Sequence, residues 1–214
     1  KVLGFPQDPG VDVLSVAFAF DLPAAFPHEV ELEAEALKLD LTPELLRQRL
    51  DLRDHLIFTV DPFDAKDFDD AVHLTKLKNG NYELGVHIAD VSHYVREETV
   101  LDKEALQRAT SVYLVDRVVP MLPEKLSNEL CSLKPEVDRL TYSCIMEVTP
   151  DGEVVNYKFA ESIIHSKRRF TYEEVQEIVD GNESSGKALD AAVREMEKLR
   201  QTLTARRMRN GCLD

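Results

Sequence analysis

The hydrophobic positions of this chain change their spacing along its length, and the changes separate helical from extended stretches. In the first fifty residues, apolar side chains recur every third or fourth position. This spacing predicts helices at 11–20, 28–37 and 42–50. The third helix has Thr42 as its N-cap and Pro43 in its first turn, the positions that these residue types prefer.

From about residue 56 the spacing shortens to runs and alternation typical of strands. Two hairpins are predicted, one turning at Asn79-Gly80 and the other at Pro150-Asp151-Gly152. The predicted strands are Leu56–Val60, Ala71–Leu77, Tyr82–Ala89, Leu140–Val148 and Val154–His165. The sequence therefore predicts a mixed, largely antiparallel sheet.

Helical spacing returns between and after the hairpins. A helix is predicted over 99–110, with Leu101, Ala105 and Leu106 facing inward, and a helical turn over 124–130. Further predictions are short extended pieces at 112–115 and 118–119, a capping box at Thr171–Glu174 that opens a helix to about 179, and a long helix over 187–209. Helices packed on a mixed sheet give an α+β fold class.

Charge changes the picture of possible partners. The chain of 214 residues has a formal net charge of −14, whereas surfaces that bind nucleic acid are usually basic. The acids are concentrated before residue 163, because the last 52 residues hold 9 acids and 10 bases. RNA is therefore not excluded, but it would have to meet metal ions or a basic surface.

Cysteine usage and hydropathy bear on location. Cys131, Cys144 and Cys212 are an odd number with wide spacing, which fits neither a disulfide framework nor a zinc motif. No apolar run approaches the ~20 residues that span a membrane, and no signal peptide is recognisable after Lys1. A cytoplasmic protein without membrane association is expected.

The densest chemical signal is a group of five aspartates within the ten residues 61–70. Carboxylates this close repel one another unless a cation neutralises them, and Mg²⁺ prefers oxygen ligands. An extended backbone would place two carboxylates on one side and Phe68 on the other. A magnesium site for phosphate chemistry is predicted, with Mn²⁺ as the alternative ion. The candidate ligands are Asp61, Asp67, Asp69 and Asp70.

Other interpretations of this segment remain to be weighed. A solvated acidic loop is the structural alternative. An EF-hand is excluded from either possible start. Counted from Asp64, Lys66 stands where that loop requires a ligand, and counted from Asp67, Val72 stands where it requires a glycine. A phosphatase with an aspartate nucleophile is a weaker alternative, because Asp67-Phe68-Asp69 is the only feature that favours it.

Further motifs follow the aspartates in a fixed order. They are Thr59-Val60-Asp61, the stretch Asp67 to Val72, the stretch Gly85 to Val95, Tyr113-Leu114, Pro120 to Pro123, and Leu126 to Leu133. Together they resemble the signatures of the ribonuclease II/ribonuclease R (RNB) family over about residues 50–214, and are most similar to its bacterial ribonuclease R branch.

The resemblance implies a magnesium-dependent, hydrolytic 3′→5′ exoribonuclease that degrades single-stranded RNA processively to nucleoside 5′-monophosphates. It implies that Asp61 and Asp67 are metal ligands, that Asp69 and Asp70 hold a second metal or orient the attacking water, and that Tyr113 contacts the 3′-terminal nucleotide. A module that has the family fold and binds RNA without cleaving it is the alternative.

The resemblance also implies a domain organisation. Residues 1–40 resemble the lead-in from an upstream cold-shock-like domain, and residues 41–214 resemble the N-terminal half of the RNB catalytic domain. The other half, with an arginine, a glutamate and an aromatic clamp, and the OB-type RNA-binding domains would lie outside this chain. The isolated chain is therefore not expected to cleave RNA.

A few remaining residues carry structural interpretations. His87 is predicted to be a hydrogen-bonded core histidine, and Cys131 and Cys144 to be buried apolar groups. Asp90 follows a strand near the carboxylates, and its role is open between structure and support of the site. Lys167-Arg168-Arg169 is either a solvated face or a contact to the RNA backbone.

Overall fold

The computed structural model describes residues 2–5, 7–23, 25–182 and 184–212. These residues form two compact units, and each unit combines two separate stretches of the chain. The first unit joins 1–39 with 91–130, and the second joins 40–90 with 131–214.

The elements are numbered in chain order. The α-helices are α1 (Val11–Ala19), α2 (His28–Ala36), α3 (Pro43–Gln48), α4 (Val91–Tyr94), α5 (Val100–Arg108), α6 (Tyr172–Asp180) and α7 (Lys187–Arg209), and a π-helix spans Lys125–Leu130. The strands are β1 (Leu50–Asp51), β2 (Phe58–Asp61), β3 (Asp70–Lys76), β4 (Tyr82–Ala89), β5 (Val112–Tyr113), β6 (Val118–Val119), β7 (Asp138–Val148), β8 (Val154–His165) and β9 (Arg168–Thr171).

The first unit is mainly helical, with α2 packed against α5 and a small ribbon of β5 and β6. In α5, Leu101 and Ala105 are buried as predicted, but the prediction for Leu106 was wrong, because this residue is 79% exposed. Leu106 is one residue beyond the i, i+4 stripe and is therefore turned about 100° away from it. The helix also ends before 110, since Ala109 has a left-handed φ of 63°.

The second unit contains a seven-stranded sheet in the order β1-β8-β7-β4-β3-β2-β9. Four neighbouring pairs are antiparallel, and two pairs at the edges, β1 with β8 and β2 with β9, are parallel. This confirms a mixed, largely antiparallel sheet. Both predicted hairpins form, as β3 with β4 and β7 with β8.

One face of this sheet carries the apolar core. The rings of Phe58 and Phe170 pack edge to face against each other. They form one cluster with Ile178 of α6 and Val193 of α7. The capping box that opens α6 is present, with Thr171 accepting from the Glu174 amide and the Glu174 carboxylate accepting from the Thr171 amide.

Local differences from the predicted elements are small. The strand predicted at Leu56–Val60 begins and ends later, as β2, and the helix predicted over 42–50 gives way at Leu50 to β1. The strand β9 was not predicted. Within the described ranges, no helix combines the length and the low charge needed to cross a lipid bilayer.

Candidate active site

The four candidate aspartates lie around one hairpin of the second unit. Asp61 is the last residue of β2 and Asp70 is the first residue of β3, and these strands are antiparallel neighbours. Asp67 and Asp69 lie in the connecting loop, residues 62–69, which forms no strand. The placement of Asp67 and Asp69 on one side of an extended backbone stays a prediction, and Phe68 between them is buried as expected. The topology brings all four carboxylates to the same end of the sheet, where β2 ends and β3 begins.

The start of this aspartate loop, 62–69, is held by Arg169. The guanidinium of Arg169 on β9 donates hydrogen bonds to the carbonyls of Pro62 (2.5 Å) and Phe63 (2.9 Å). The same group lies over the Phe68 ring, 5.5 Å from its centroid. A side chain from the parallel neighbour of β2 thus fixes both the backbone and the apolar anchor of the loop.

The end of the loop is held by residues that follow the π-helix. The Ser132 hydroxyl accepts from the Phe68 amide (3.1 Å) and donates to the Lys66 carbonyl (2.8 Å). The Leu133 amide donates to the Phe68 carbonyl (2.8 Å), and the Ala89 amide donates to the Asp69 carbonyl (2.9 Å). These backbone polar groups of the loop are thereby satisfied within the chain.

The pKa values of two of these carboxylates are raised above their ordinary values. Burial raises the pKa of Asp61, and the charges of Asp70 and Asp67 add to this rise against the opposing effects of Thr59 and Arg169. Asp69 is exposed at the surface, but partial desolvation of its carboxylate raises its pKa, and the charges of Asp67, Asp70 and Asp61 raise it further. The charges of Asp67 and Asp70 therefore act on both Asp61 and Asp69.

The donor set fits a hard divalent ion. Asp61 is 8% exposed, and its Oδ2 atom is buried without a hydrogen-bond partner among the described residues. A buried carboxylate oxygen without a partner is costly, and coordination of a cation is one way to satisfy it. The four carboxylates do not form a compact cage in which three oxygens lie within 4.8 Å of one another. Mg²⁺ does not require such a cage, because it usually takes one or two carboxylates and completes its shell with water and phosphate.

Asp90 lies at the same end of the sheet, one residue after β4, and its carboxylate forms an ion pair with Arg49. Its Oδ2 atom accepts from Arg49 Nη2 at 2.6 Å, and both side chains are almost fully buried. Arg49 also donates to the carbonyls of Thr141 and Ser162. These contacts favour the structural role that was considered for Asp90.

Tyr113 belongs to the first unit, on β5, and is 67% exposed. Its contact with RNA stays a prediction. Of the two predicted apolar cysteines, Cys131 is buried and burial raises the pKa of its thiol to about 12, whereas Cys144 is half-buried.

The three basic side chains at 167–169 all contact other residues of the chain. The Lys167 ammonium donates to the Arg53 carbonyl, and Arg168 forms an ion pair with Glu174. The role of Arg169 in holding the aspartate loop was missed from the sequence, and so was that of Ser132. Their partners are more than sixty residues away, so no local pattern predicts these contacts. The sequence signalled only that Arg169 lies in the basic run 167–169 and Ser132 in the motif 126–133.

The chain is similar to known proteins over its whole length. The profile of the RNB domain matches residues 49–214. The chain is 49% identical to ribonuclease R 1 of Lactococcus lactis and 50% identical to ribonuclease R of Thermotoga maritima, in each case over 100% of its own length. It spans 27% and 31% of the lengths of these two relatives.

A solved structure gives the same result. The structure of Mycoplasma genitalium RNase R in complex with ribose-methylated single-stranded RNA superimposes with a TM-score of 0.94 at 32% identity. The match covers 100% of this chain and 34% of that protein.

Proposed function

Because this chain belongs to the RNB domain family, we propose that it supplies part of a hydrolytic 3′→5′ exoribonuclease. The proposed reaction is the processive hydrolysis of single-stranded RNA from its 3′ end, with release of nucleoside 5′-monophosphates. The chain spans only about a third of the relatives it matches, so the proposed activity is that of a longer protein containing the remaining parts. The cytoplasm is the proposed location.

The arrangement of the four aspartates is the observation that supports this proposal most directly. They surround one loop whose backbone is bonded at both ends, and the pKa values of Asp61 and Asp69 are raised by burial and by neighbouring carboxylates. We propose that Asp61 and Asp67 bind Mg²⁺ or Mn²⁺, while Asp69 and Asp70 hold a second ion or orient the attacking water. When bound, the divalent ion would stabilise the negative charge that develops on the scissile phosphate.

The loop itself supplies a matched test, because it contains a fifth aspartate. Asp64 is exposed, lies in the same loop and is not one of the proposed ligands. The test protein is Lactococcus lactis ribonuclease R 1 in which this chain replaces the aligned segment, assayed on 5′-labelled single-stranded RNA. We expect stepwise shortening from the 3′ end that requires Mg²⁺ or Mn²⁺ and stops with EDTA.

In this chimera, Asp69→Asn should lower the hydrolysis rate by about 10²- to 10⁴-fold, the range for loss of a side chain that assists the attacking water. RNA affinity should persist, because the proposed role of Asp69 is in the attack on the phosphate and not in holding the RNA. Asp64→Asn should leave the rate unchanged. Wild-type turnover by Asp69→Asn would show that Asp69 has another role.

The alternative function, an RNA-binding module without hydrolysis, has its own expected outcome. A chimera that folds and binds RNA but leaves it intact in the presence of Mg²⁺ would favour it. A phosphatase on small substrates is contradicted if the chimera releases mononucleotides stepwise from a long oligonucleotide.

A further inference from the structure

A second group of metal-ligating side chains lies on the sheet, on the face opposite the apolar core. We propose that His55, His73 and Glu83 form a binding site for a transition-metal ion of the zinc class, distinct from the aspartate loop. In the described part of the chain, these residues are the only three of the types His, Cys, Asp and Glu whose ligand atoms all lie within 4.8 Å of one another.

The fold brings these three residues together from separate segments. His73 lies on β3 opposite Gly85 of β4, and Glu83 lies two residues before Gly85. Residues diagonal to each other on antiparallel strands share a face of the sheet. His55 comes from the turn before β2, where its amide donates to the Leu52 carbonyl and its ring centroid lies 4.7 Å from that of His73.

The distances suit coordination better than hydrogen bonding. His73 Nε2 and His55 Nε2 lie 3.6 Å and 4.0 Å from the same Glu83 oxygen, Oε1. Both separations are too long for a hydrogen bond. Ligand atoms around a tetrahedral zinc ion, at bond lengths of about 2.0–2.1 Å, are roughly 3.3 Å apart. The two measured separations exceed this value by about 0.3 Å and 0.7 Å, and the ligand atoms of the two histidines lie within 4.8 Å of each other, so small side-chain movements would close the triangle.

The best evidence for a ligand is the state of His73. The residue is 1% exposed, and its Nε2 atom is buried without a hydrogen-bond partner among the described residues. An unsatisfied buried polar nitrogen is costly, so its retention calls for a partner such as a metal ion.

The other nitrogen of His73 is fixed by a buried chain of hydrogen bonds. His73 Nδ1 lies 2.8 Å from His87 Nε2, His87 Nδ1 lies 2.6 Å from Ser143 Oγ, and Ser143 Oγ lies 2.5 Å from Ser162 Oγ. When each group donates to the next, His73 keeps the lone pair of Nε2 pointed at Glu83. Metal-binding histidines are typically oriented in this way through their second nitrogen. The same contacts confirm His87 as a hydrogen-bonded core histidine.

The backbone of β4 is adapted to the position of the His73 ring. A Cβ atom at Gly85 would lie 2.1 Å from Cε1 and 2.3 Å from Nδ1 of His73. Only glycine leaves room for the ring to cross β4 and reach His87. The orientation of His73 is thus built into the strand.

The donor set selects the class of ion. Burial lowers the pKa of His73, with His55 adding to this effect and Glu83 opposing it. Two imidazoles and one carboxylate suit Zn²⁺ and similar first-row ions, whereas Mg²⁺ prefers all-oxygen sites. His55 and Glu83 are half-exposed, which leaves a fourth position open to water.

The site can be tested by titrating the 214-residue chain with Zn²⁺ in a calorimeter, with excess Mg²⁺ present to compete for the aspartate loop. We expect one Zn²⁺ per chain. His55→Ala and Glu83→Gln should each weaken the affinity by at least about tenfold, since loss of a ligand should cost no less than loss of its supporting contact. His28→Ala, at an exposed histidine of α2, is the matched control and should leave the affinity unchanged.

The absence of saturable zinc binding would overturn the proposal. So would an affinity that both site variants leave unchanged, or one that is abolished by Asp69→Asn instead. Circular dichroism checks that the variants fold. If they do not fold, the visible spectrum of Co²⁺ bound to the unaltered chain decides. An intense tetrahedral spectrum at one equivalent supports the site, and its absence overturns it.

Discussion

Two arginine–carboxylate pairs of the second unit differ mainly in burial and make a sharp prediction about stability. Arg49 and Asp90 are 2.6 Å apart with 3% and 4% of their side chains exposed. Arg47 and Glu44 are 2.5 Å apart with 71% and 69% exposed. We expect Asp90→Asn to be strongly destabilising and Glu44→Gln to be nearly neutral.

The magnitude follows from what remains around Arg49. Removing one partner of a buried pair typically costs ~3–5 kcal/mol, because the other charge stays buried without compensation. Here Glu161 Oε2 remains 3.7 Å from the guanidinium, and the carbonyls of Thr141 and Ser162 still accept from it. We therefore expect about 3 kcal/mol for Asp90→Asn, at the lower end of that range.

The control has a different expected size. Exposed ion pairs contribute ~0–1 kcal/mol, because water already solvates both charges. Glu44→Gln should therefore lower the free energy of unfolding by no more than about 1 kcal/mol.

Urea unfolding of the 214-residue chain, followed by far-UV circular dichroism, measures both values. The double variant Arg49→Met/Asp90→Asn should recover much of the loss, because no buried charge is left unpaired. If Asp90→Asn cost less than about 1 kcal/mol, or no more than Glu44→Gln, the pair would not be sealed from solvent and the reasoning would be refuted.

Three further predictions concern other parts of the molecule. Burial raises the pKa of the Cys131 thiol to about 12, so this thiol should resist a thiol reagent at pH 8 in the native chain and react once urea unfolds it. Fast labelling of the native chain at Cys131 would contradict its burial. Gly85→Ala should lower the free energy of unfolding in urea by about 1–3 kcal/mol, because the new methyl group displaces the buried His73 ring, and a neutral effect would show that the ring has room. In the RNA-degrading chimera, Tyr113→Ala should weaken RNA binding by ~1–3 kcal/mol, whereas Tyr113→Phe should retain it, and equal effects of both would exclude stacking.

Local signals in the sequence predicted the elements that depend on neighbouring residues. The caps at Thr42 and Thr171, the turn at Asn79-Gly80 and the bounds of α7 all agree with the structure. Each depends on contacts within a few positions of the chain. The mixed, largely antiparallel sheet followed from two such hairpins.

Features that depend on distant pairing were not accessible. The parallel pairing of β2 with β9 joins residues about 110 positions apart, and no periodicity encodes it. For the same reason the anchoring of the loop by Arg169 and the approach of His55 to His73 became visible only in the structure. The aspartates themselves were recognisable because they are adjacent in sequence, whereas the groups that position them are not.

The anchored backbone of the aspartate loop has a consequence for how tightly an ion is captured. Fixing a flexible residue costs ~1–2 kcal/mol of conformational entropy, and here folding has already met that cost for most of the loop. An incoming cation would therefore need to displace water and draw in side chains, without first shaping the chain around itself. If Ser132 or Arg169 were replaced, the loop would lose a contact and the entropy cost of ordering it would be added to ion binding. The affinity for the ion would then fall although every coordinating oxygen remained.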